Sequence, residues 1–268
     1  MLGQIRRRLL CASLLFGLAC VGTVAAVAQT AAPDESAALA TSQAAIGRQL
    51  DDYPFIDQNG QPLRLSSLRG RPVVLSLVYT SCFRICSGLT LHLRDVVSEA
   101  QRALGPDTFT VLTVGFDTPN DTPERMRLYA QERGAQMQGW HFASADAATV
   151  DRLARDVGFT YRRSPKGFDH ITQTTIIDGS GHVVLQVYGQ DFRPPSLVEP
   201  LKRLARGREI ERGTLDGLLR SVRLFCTIYD PASGRYRFDY SIIADAIAGV
   251  LALGMVAIVI AVSWRNSH

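Results

Sequence analysis

The chain has 268 residues, of which 46% are hydrophobic, and its formal net charge is +4. Three arginines at positions 6–8 lie in an N-terminal segment that we expect to be removed, and without them the net charge falls from +4 to +1. A nearly neutral domain gives no indication of a nucleic-acid partner, because such partners are bound mainly through clusters of Lys and Arg. Residues 51–207 are long enough to bury the core of one domain.

Residues 1–28 have the features of a secretory signal peptide. The arginines at 6–8 are followed by an uncharged apolar stretch over 9–27, and residues 26–28 are the small residues that signal peptidase requires. Two alternatives stay open: an uncleaved anchor helix, because the apolar stretch is long, and a lipoprotein attached at Cys20. A secreted precursor of this kind places the following domain in the periplasm.

The next segment, residues 29–50, is rich in Ala, Ser, Thr and Gln without an apolar period, so we expect a flexible linker. Residues 73–79 are apolar on both faces, which indicates a central strand, and Thr122 followed by Pro123 is a typical helix start. The predicted elements of the domain are, in order, a hairpin over 53–65, a strand over 73–79, a helix over 89–104, a strand over 109–116, a helix over 122–134, a short strand over 140–142, a helix over 146–157, a hairpin over 174–188 and a helix over 195–205.

That order predicts an α/β fold with a parallel core. Strand, helix and strand followed by a closing antiparallel hairpin and helix is the thioredoxin-like arrangement. We therefore expect residues 51–207 to form a thioredoxin-like sheet with flanking helices. In this arrangement a cysteine motif lies where the first core strand meets its helix.

The C-terminal part is predicted to cross a membrane. Residues 208–240 form a connector, and residues 241–264 are long and apolar enough for a transmembrane helix, with Tyr240 and Trp264 at the two interfaces. A buried core helix is the alternative. Together with the signal peptide, this segment predicts a protein of the inner (cytoplasmic) membrane whose soluble domain lies in the periplasm.

Three cysteines remain outside the signal segment: Cys82, Cys86 and Cys226. They are too few to form a disulfide framework for a domain of this size, and two of them are four residues apart, which indicates chemistry rather than scaffolding. For Cys226 we leave three interpretations open: it receives copper, it bridges to a partner, or it has no role.

Cys82 and Cys86 have the spacing of one helical turn, so they can form a redox disulfide or hold a metal between their sulfurs. We expect them at a helix N-terminus, where exposed amides lower the pKa of a thiol. His170 precedes the closing hairpin, in a loop that this fold places beside the cysteine turn. Two thiolates and one imidazole suit copper, as Cu(I) or Cu(II), whereas structural zinc requires four ligands. The alternatives are a structural disulfide or two buried thiols, and an ordinary histidine.

At residues 79–86, 116–124 and 169–170 the sequence resembles the Sco/SenC family of copper chaperones, which are membrane-anchored thioredoxin-like proteins of cytochrome c oxidase assembly. The resemblance spans about residues 51–207. It implies that Cys82, Cys86 and His170 are the metal ligands. The family's Asp-x₃-Asp element falls on Asp117 and Asp121, which would support copper handling or partner contact; a helix cap is the alternative for Asp121.

The sequence departs from the family pattern inside the cysteine motif. The family has a proline after each cysteine, whereas Phe83 and Ser87 stand there, and Arg84 replaces a usual acidic residue. The departures affect the geometry and redox potential of the turn. The usual anchor is also N-terminal, whereas the second, C-terminal apolar segment is expected to anchor this chain.

The resulting functional hypothesis is a metallochaperone, not an enzyme, that delivers copper to the dinuclear centre of cytochrome c oxidase. Its expected partners are the copper-bearing oxidase subunit, other periplasmic copper chaperones and the membrane.

The alternative is a periplasmic thiol–disulfide oxidoreductase acting on the cysteines of that subunit. Such oxidoreductases have Cys-x₂-Cys and a proline before the strand that faces it, whereas here the spacing is three and Gln173 occupies that place. A peroxidase of the same superfamily would require Thr-x₂-Cys, and Thr80 does not have this spacing to Cys82.

Overall fold

The structure is a computed structural model that describes residues 35–82, 85–165 and 167–207, together with short pieces at 227–230, 235–238, 248–249, 251 and 253–255. The predicted signal peptide, Cys226, Phe83 and Arg84 lie outside the described residues. So does most of the predicted transmembrane segment over 241–264. Among the residues that are described, no helix combines the length and the apolar character needed to cross a membrane.

The described part of residues 35–207 contains five helices, and most begin where the sequence predicts. Thr122 caps one of them, because its side chain accepts a hydrogen bond from the Arg125 amide, and Pro123 follows at the first helical position. Asp146 caps another by accepting from the Thr149 amide. The helices are α1 (Glu35–Gln43), α2 (Ile85–Leu104), α3 (Pro123–Glu132), α4 (Ala147–Asp156) and α5 (Pro195–Gly207), with a single 3₁₀ turn at Leu65–Leu68.

The strands form one large sheet and two separate hairpins. The strands of the large sheet are β1 (Pro54–Asp57), β2 (Pro62–Arg64), β3 (Val73–Val78), β4 (Thr110–Gly115), β5 (Trp140–Ser144), β8 (Gln173–Ile177) and β9 (Val183–Tyr188). The hairpins pair β6 (Tyr161–Ser164) with β7 (Gly167–His170), and β10 (Thr227–Asp230) with β11 (Arg235–Phe238).

The large sheet has the order β2-β1-β5-β4-β3-β8-β9. β3 pairs parallel with β4 and β4 parallel with β5, whereas β8 joins β3 and β9 joins β8 antiparallel. Every residue of β3 and β4 is buried, as expected for central strands that are covered on both faces. The prediction of a parallel core closed by an antiparallel hairpin is confirmed.

The prediction of a flexible linker over 29–50 is wrong for its described part. Glu35–Gln43 forms helix α1, in which Ser42 is completely buried. The Ser42 hydroxyl donates to the Gln173 side chain at 2.8 Å, and Gly158 lies against the α1 backbone. The segment has no apolar period because small and polar residues make these contacts.

The turn between β8 and β9 contains a carboxylate, Asp178, whose contribution to the stability of the fold should depend on pH. The Asp178 carboxylate accepts hydrogen bonds from the amides of Ser180, Gly181 and His182 at 2.8–2.9 Å. Partial burial raises the pKa of Asp178, but these hydrogen bonds outweigh it, and the net pKa lies below the ordinary value of 3.8. A lowered carboxyl pKa stabilises the fold above the unfolded-state pKa, and this contribution is lost as the pH falls through the folded-state pKa.

We therefore expect Asp178→Asn to destabilise the protein at pH 7 and to have a smaller effect near pH 3. Urea unfolding at both pH values measures the difference in free energy of unfolding between the wild type and the variant. Asp95→Asn is the control, because Asp95 is an exposed carboxylate paired with Arg94 and should change little at either pH. An equal destabilisation by Asp178→Asn at both pH values would contradict the predicted pH dependence of its contribution to stability.

Candidate metal centre

Cys82 and Cys86 lie on the connection from β3 to α2. α2 begins at Ile85, so Cys86 belongs to its first turn and Cys82 lies in the loop before it. The Cys82 sulfur accepts a hydrogen bond from the Cys86 amide at 3.3 Å, which satisfies one of the unpaired amides at the start of the helix. Both side chains are buried thiols, 9% and 2% exposed, and they are not joined by a disulfide. The predicted proximity of the two cysteines is confirmed.

The expected lowering of the thiol pKa at the helix N-terminus is wrong for Cys86. The hydrogen bond between its thiol and the Cys82 sulfur and its burial both raise the pKa of Cys86 well above the ordinary range. The Cys82 sulfur lies against the Cys86 amide, whereas the Cys86 side chain is the more deeply buried of the two. The two cysteines therefore have different surroundings.

His170 ends strand β7, one half of a hairpin where the sequence predicts a loop. It pairs with Tyr161 across the hairpin, and its Nδ1 lies 2.9 Å from the carbonyl of Ile171. A carbonyl oxygen can only accept, so Nδ1 carries the proton and Nε2 keeps the lone pair in the neutral ring. This is the arrangement by which metal-binding histidines fix their tautomer.

Aromatic side chains connect the cysteine turn with the hairpin. Phe116, at the end of β4, lies 5.5 Å from the His170 ring and 5.2 Å from Phe168, measured between ring centroids. Tyr79 lies 5.2 Å from Phe168 and 6.1 Å from His170. The hairpin is therefore packed on the carboxyl ends of β3 and β4, where the cysteine turn also begins.

Tyr79, three residues before Cys82, lies against the start of β7, where its oxygen is close to Gly167. Burial and the neighbouring Cys82 thiol raise the pKa of Tyr79 to about 12. Gly167 is required at the start of β7, because its φ is +116° and a Cβ atom there would lie 2.8 Å from the Tyr79 oxygen.

The two predicted supporting aspartates contact different parts of the site. The Asp121 carboxylate accepts hydrogen bonds from the amide and hydroxyl of Thr80, at 2.8 and 2.7 Å, and from the Asp117 amide at 2.9 Å. Burial raises the pKa of Asp121, and the hydrogen bonds oppose that shift. Asp121 thus fixes the start of the cysteine turn, and the alternative of a helix cap is wrong, since Thr122 caps α3.

Asp117 faces the hairpin instead. Its carboxylate lies 3.4 Å from the guanidinium of Arg163 on β6 and accepts from the Asn120 side chain at 2.8 Å. The Asp-x₃-Asp element therefore holds both the cysteine turn and the histidine hairpin to the loop after β4.

The structure brings the two sulfurs together and places the imidazole across Tyr79 from them. Within the described ranges, no three side chains of His, Cys, Asp or Glu are close enough to hold a metal ion as they stand. The residues still fit copper chemically: the pair of adjacent thiols is soft, and the imidazole has a free Nε2. The third ligand would have to approach through a movement of the hairpin or of Tyr79.

The sequence profile of the SCO1/SenC family matches residues 41–206, which is more than half of the chain. The chain belongs to the SCO1/SenC family. The SCO1 protein homolog of Bacillus subtilis is 22% identical to this SCO1/SenC protein over 152 residues, covering 54% of this chain and 77% of that protein.

Solved structures of SCO1/SenC proteins share its fold. ScoI of Bradyrhizobium japonicum, solved with copper bound, superposes with a TM-score of 0.50 at 21% identity, over 57% of this chain and 98% of that one. BsSco, a member of the Sco family of cytochrome c oxidase assembly proteins with a disulfide switch, gives a TM-score of 0.54 at 16% identity, over 59% and 94%. The likeness confirms the predicted α/β thioredoxin-like fold.

The sequence does not identify two residues of this SCO1/SenC site. It predicts Tyr79 only as the end of a strand, and Gly167 lies in the loop predicted before the closing hairpin. The sequence contains a weak indication of each: a tyrosine three residues before a reactive cysteine, and a glycine directly before an aromatic residue in a polar segment. Neither pattern reveals that the two residues meet, because they are 88 positions apart in the chain.

Proposed function

We propose that this SCO1/SenC protein is a copper metallochaperone that matures the dinuclear copper centre of cytochrome c oxidase. Copper is its cargo, and Cys82, Cys86 and His170 are its ligands. The observation that carries the proposal is the pair of adjacent buried thiols at the start of α2, with the His170 hairpin packed on Tyr79, which precedes Cys82 by three residues. The copper-bound ScoI structure of the same fold supports it.

The ligands have separate chemical roles in this proposal. Two thiolates suffice for Cu(I), which prefers soft sulfur and few ligands, and the Cys86 thiol must release its proton when the metal enters. The imidazole of His170 adds a harder nitrogen that Cu(II) requires. His170 therefore distinguishes the two oxidation states, and Asp117 and Asp121 hold the elements that carry the ligands.

The proposal also includes a location and partners. Residues 241–264 anchor the chain in the inner membrane, and residues 51–207 lie in the periplasm after export through the signal peptide at 1–28. In that position the domain can reach the copper-bearing oxidase subunit and receive copper from other periplasmic chaperones. A cargo that is passed on must be exchangeable, and a site that is closed by a side-chain movement meets this requirement.

A thiol–disulfide oxidoreductase acting on the oxidase subunit is the second candidate. The Cys82 sulfur lies against the Cys86 amide at 3.3 Å, and this proximity of the two cysteines favours it, as does the disulfide switch of BsSco. Against general redox catalysis, the place of the usual proline holds Gln173. Its buried side chain is bonded to Ser42 and to the Val157 carbonyl.

We expect the reduced, full-length protein to bind about one Cu(I) per chain under anaerobic conditions. His170→Ala should lower the affinity for Cu(II) by at least about 100-fold and that for Cu(I) by less than about tenfold, because loss of the imidazole affects chiefly the harder ion. Competition titrations with chelators for each ion, together with the Cu(II) absorption spectrum, measure both affinities.

His182→Ala is the matched control, since His182 lies on the exposed turn beside Asp178. An unchanged Cu(II) spectrum and affinity in His170→Ala would refute the three-ligand site. The oxidoreductase alternative predicts rapid metal-free turnover of insulin in a reduction assay and no stoichiometric copper.

A further inference from the structure

The carbonyl oxygen of Cys86 accepts hydrogen bonds from two buried hydroxyl groups. The Tyr129 hydroxyl donates to it at 2.9 Å, and the Thr90 hydroxyl donates to it at the same distance. The two hydroxyl oxygens also lie 2.9 Å from each other. Tyr129 and Thr90 are each 2% exposed, so water does not compete for these bonds. The backbone of Cys86 is therefore held within a buried triangle of three oxygen atoms.

The two hydroxyls belong to different elements of the fold. Thr90 lies four residues after Cys86 in the same helix, so its bond is internal to α2. Tyr129 lies on α3, and its hydroxyl connects the first turn of α2 to this second helix. The guanidinium carbon of Arg133 lies 3.6 Å from the centroid of the Tyr129 ring, which holds the ring in place. The packing of α3 thus determines where the Tyr129 hydroxyl lies, and Cys86 is held against it.

The other end of the cysteine turn is held from the same side of the molecule. The Asp121 carboxylate accepts from the amide of Thr80, at the start of the turn, at 2.8 Å. Asp121 lies in the loop that leads into α3, and Tyr129 lies within that helix. The helix and its preceding loop therefore hold the turn at Thr80 and at Cys86. The stretch between these two points contains both candidate sulfur ligands.

We propose that Tyr129 is a positioning residue of the copper site. Its hydroxyl fixes the peptide group of Cys86 to α3 and so determines where the Cys86 sulfur lies relative to Cys82. The contact with Cys86 concerns the metal-free protein, whereas its effect on copper rests on the proposed function. A sulfur that is already held in place loses less conformational entropy when the metal binds, so the contact should raise the affinity for copper.

The Cys86 amide reports on this position in the absence of metal. It donates to the Cys82 sulfur at 3.3 Å, so both polar groups of the Cys86 backbone are bonded. The amide and the carbonyl are joined through the Cα atom from which the side chain extends. A shift of the carbonyl away from Tyr129 therefore also moves the amide and the sulfur.

Thr90→Val is the matched comparison for Tyr129→Phe. Each variant removes one buried hydroxyl that contacts the Cys86 carbonyl and leaves the other hydroxyl to donate to it. Neither variant leaves the carbonyl without a side-chain donor, so the two should lower the stability of the fold by similar amounts. They differ because Thr90→Val keeps the contact between α2 and α3, whereas Tyr129→Phe keeps only a bond within α2.

The first test uses the reduced, metal-free, full-length protein and measures hydrogen exchange of the Cys86 amide. Tyr129→Phe should speed this exchange by about tenfold, which corresponds to the loss of one hydrogen bond. Thr90→Val should leave it within about twofold of the wild-type rate, because Tyr129 still holds the carbonyl. Equal acceleration in the two variants, or an unchanged rate in Tyr129→Phe, would overturn the positioning role.

The second test measures the affinities of the same proteins for Cu(I) and Cu(II) by competition with chelators. Tyr129→Phe should weaken both by a similar factor of about ten, because Cys86, unlike His170, serves both ions. Thr90→Val should keep both affinities within about twofold of the wild type. Wild-type affinities in Tyr129→Phe would overturn the effect on copper. If the wild type binds no copper, the proposed function and the effect on copper both fail, whereas the exchange experiment still decides whether Tyr129 positions Cys86.

Discussion

Asp121→Asn is expected to destabilise the protein by about 2–4 kcal/mol and to loosen the cysteine turn. The Asp121 carboxylate accepts from the Thr80 amide through one oxygen and from the Asp117 amide through the other. An asparagine can offer an oxygen to only one of them, so its NH₂ group faces an amide N–H in either orientation. The result is a buried donor without an acceptor, and the side chain is 2% exposed with no access to water.

Asp117→Asn is the matched control for this prediction. Asp117 is also buried, but its ionic partner, Arg163, is 69% exposed, and an asparagine oxygen can still accept from Asn120. We therefore expect it to cost less than about 1 kcal/mol. Urea unfolding measures both free energies, and the rate of alkylation of Cys82 and Cys86 reports on the turn. Equal costs in the two variants, with equal alkylation rates, would show that Asp121 does not hold Thr80.

The central part of the fold could be predicted from the sequence because it is buried on both faces. β3 and β4 are continuous apolar runs, and α2 shows apolar residues at helical spacing that are buried in the structure, including Leu89, Leu93 and Val97. The β8–β9 hairpin was equally clear, since two apolar strands flank a Gly-Ser-Gly turn. Periodicity reports burial, and these elements owe their stability to burial.

The β6–β7 hairpin could not be predicted because its pattern is polar. Arg162, Arg163 and Ser164 precede a Pro-Lys connection, and a run of this kind does not alternate between apolar and polar residues. The hairpin is held by contacts from elsewhere in the chain: the packing of Phe168 on Phe116 and on Tyr79. The sequence thus identified His170 as a candidate ligand without showing what holds it.

The pKa of Cys86 could not be predicted from the sequence for a different reason. The sequence places this cysteine at a helix N-terminus, where the dipole favours thiolate. The neighbouring Cys82 sulfur and burial act in the opposite direction and are larger. Their sizes depend on how the two side chains are packed, which a local motif does not show.

The assignment of residues 29–50 to a flexible linker was wrong for a related reason, and the error leads to the second large prediction. α1 presents Ala and Ser rather than large apolar residues to the domain. Its backbone approaches Gly158 so closely that a Cβ atom there would lie 2.6 Å from the Thr41 oxygen and 2.7 Å from the Ser42 Cα. Close contact between main chains, without large side chains, leaves no hydrophobic period in the sequence.

Gly158→Ala is therefore expected to destabilise the protein by about 3–5 kcal/mol, combining an unfavourable left-handed backbone with an overlap that only a displacement of α1 can relieve. Gly60→Ala is the control, because Gly60 has a similar φ, +77° against +68°, and nothing lies within 4 Å of its added Cβ. Gly60→Ala should lower the free energy of unfolding by about 1–2 kcal/mol, because only its backbone conformation is unfavourable. Urea unfolding compares the two variants, and hydrogen exchange of the α1 amides should rise in Gly158→Ala and stay at the wild-type rate in Gly60→Ala. Equal costs, with α1 still protected in both, would mean that its docking does not depend on the contact at Gly158.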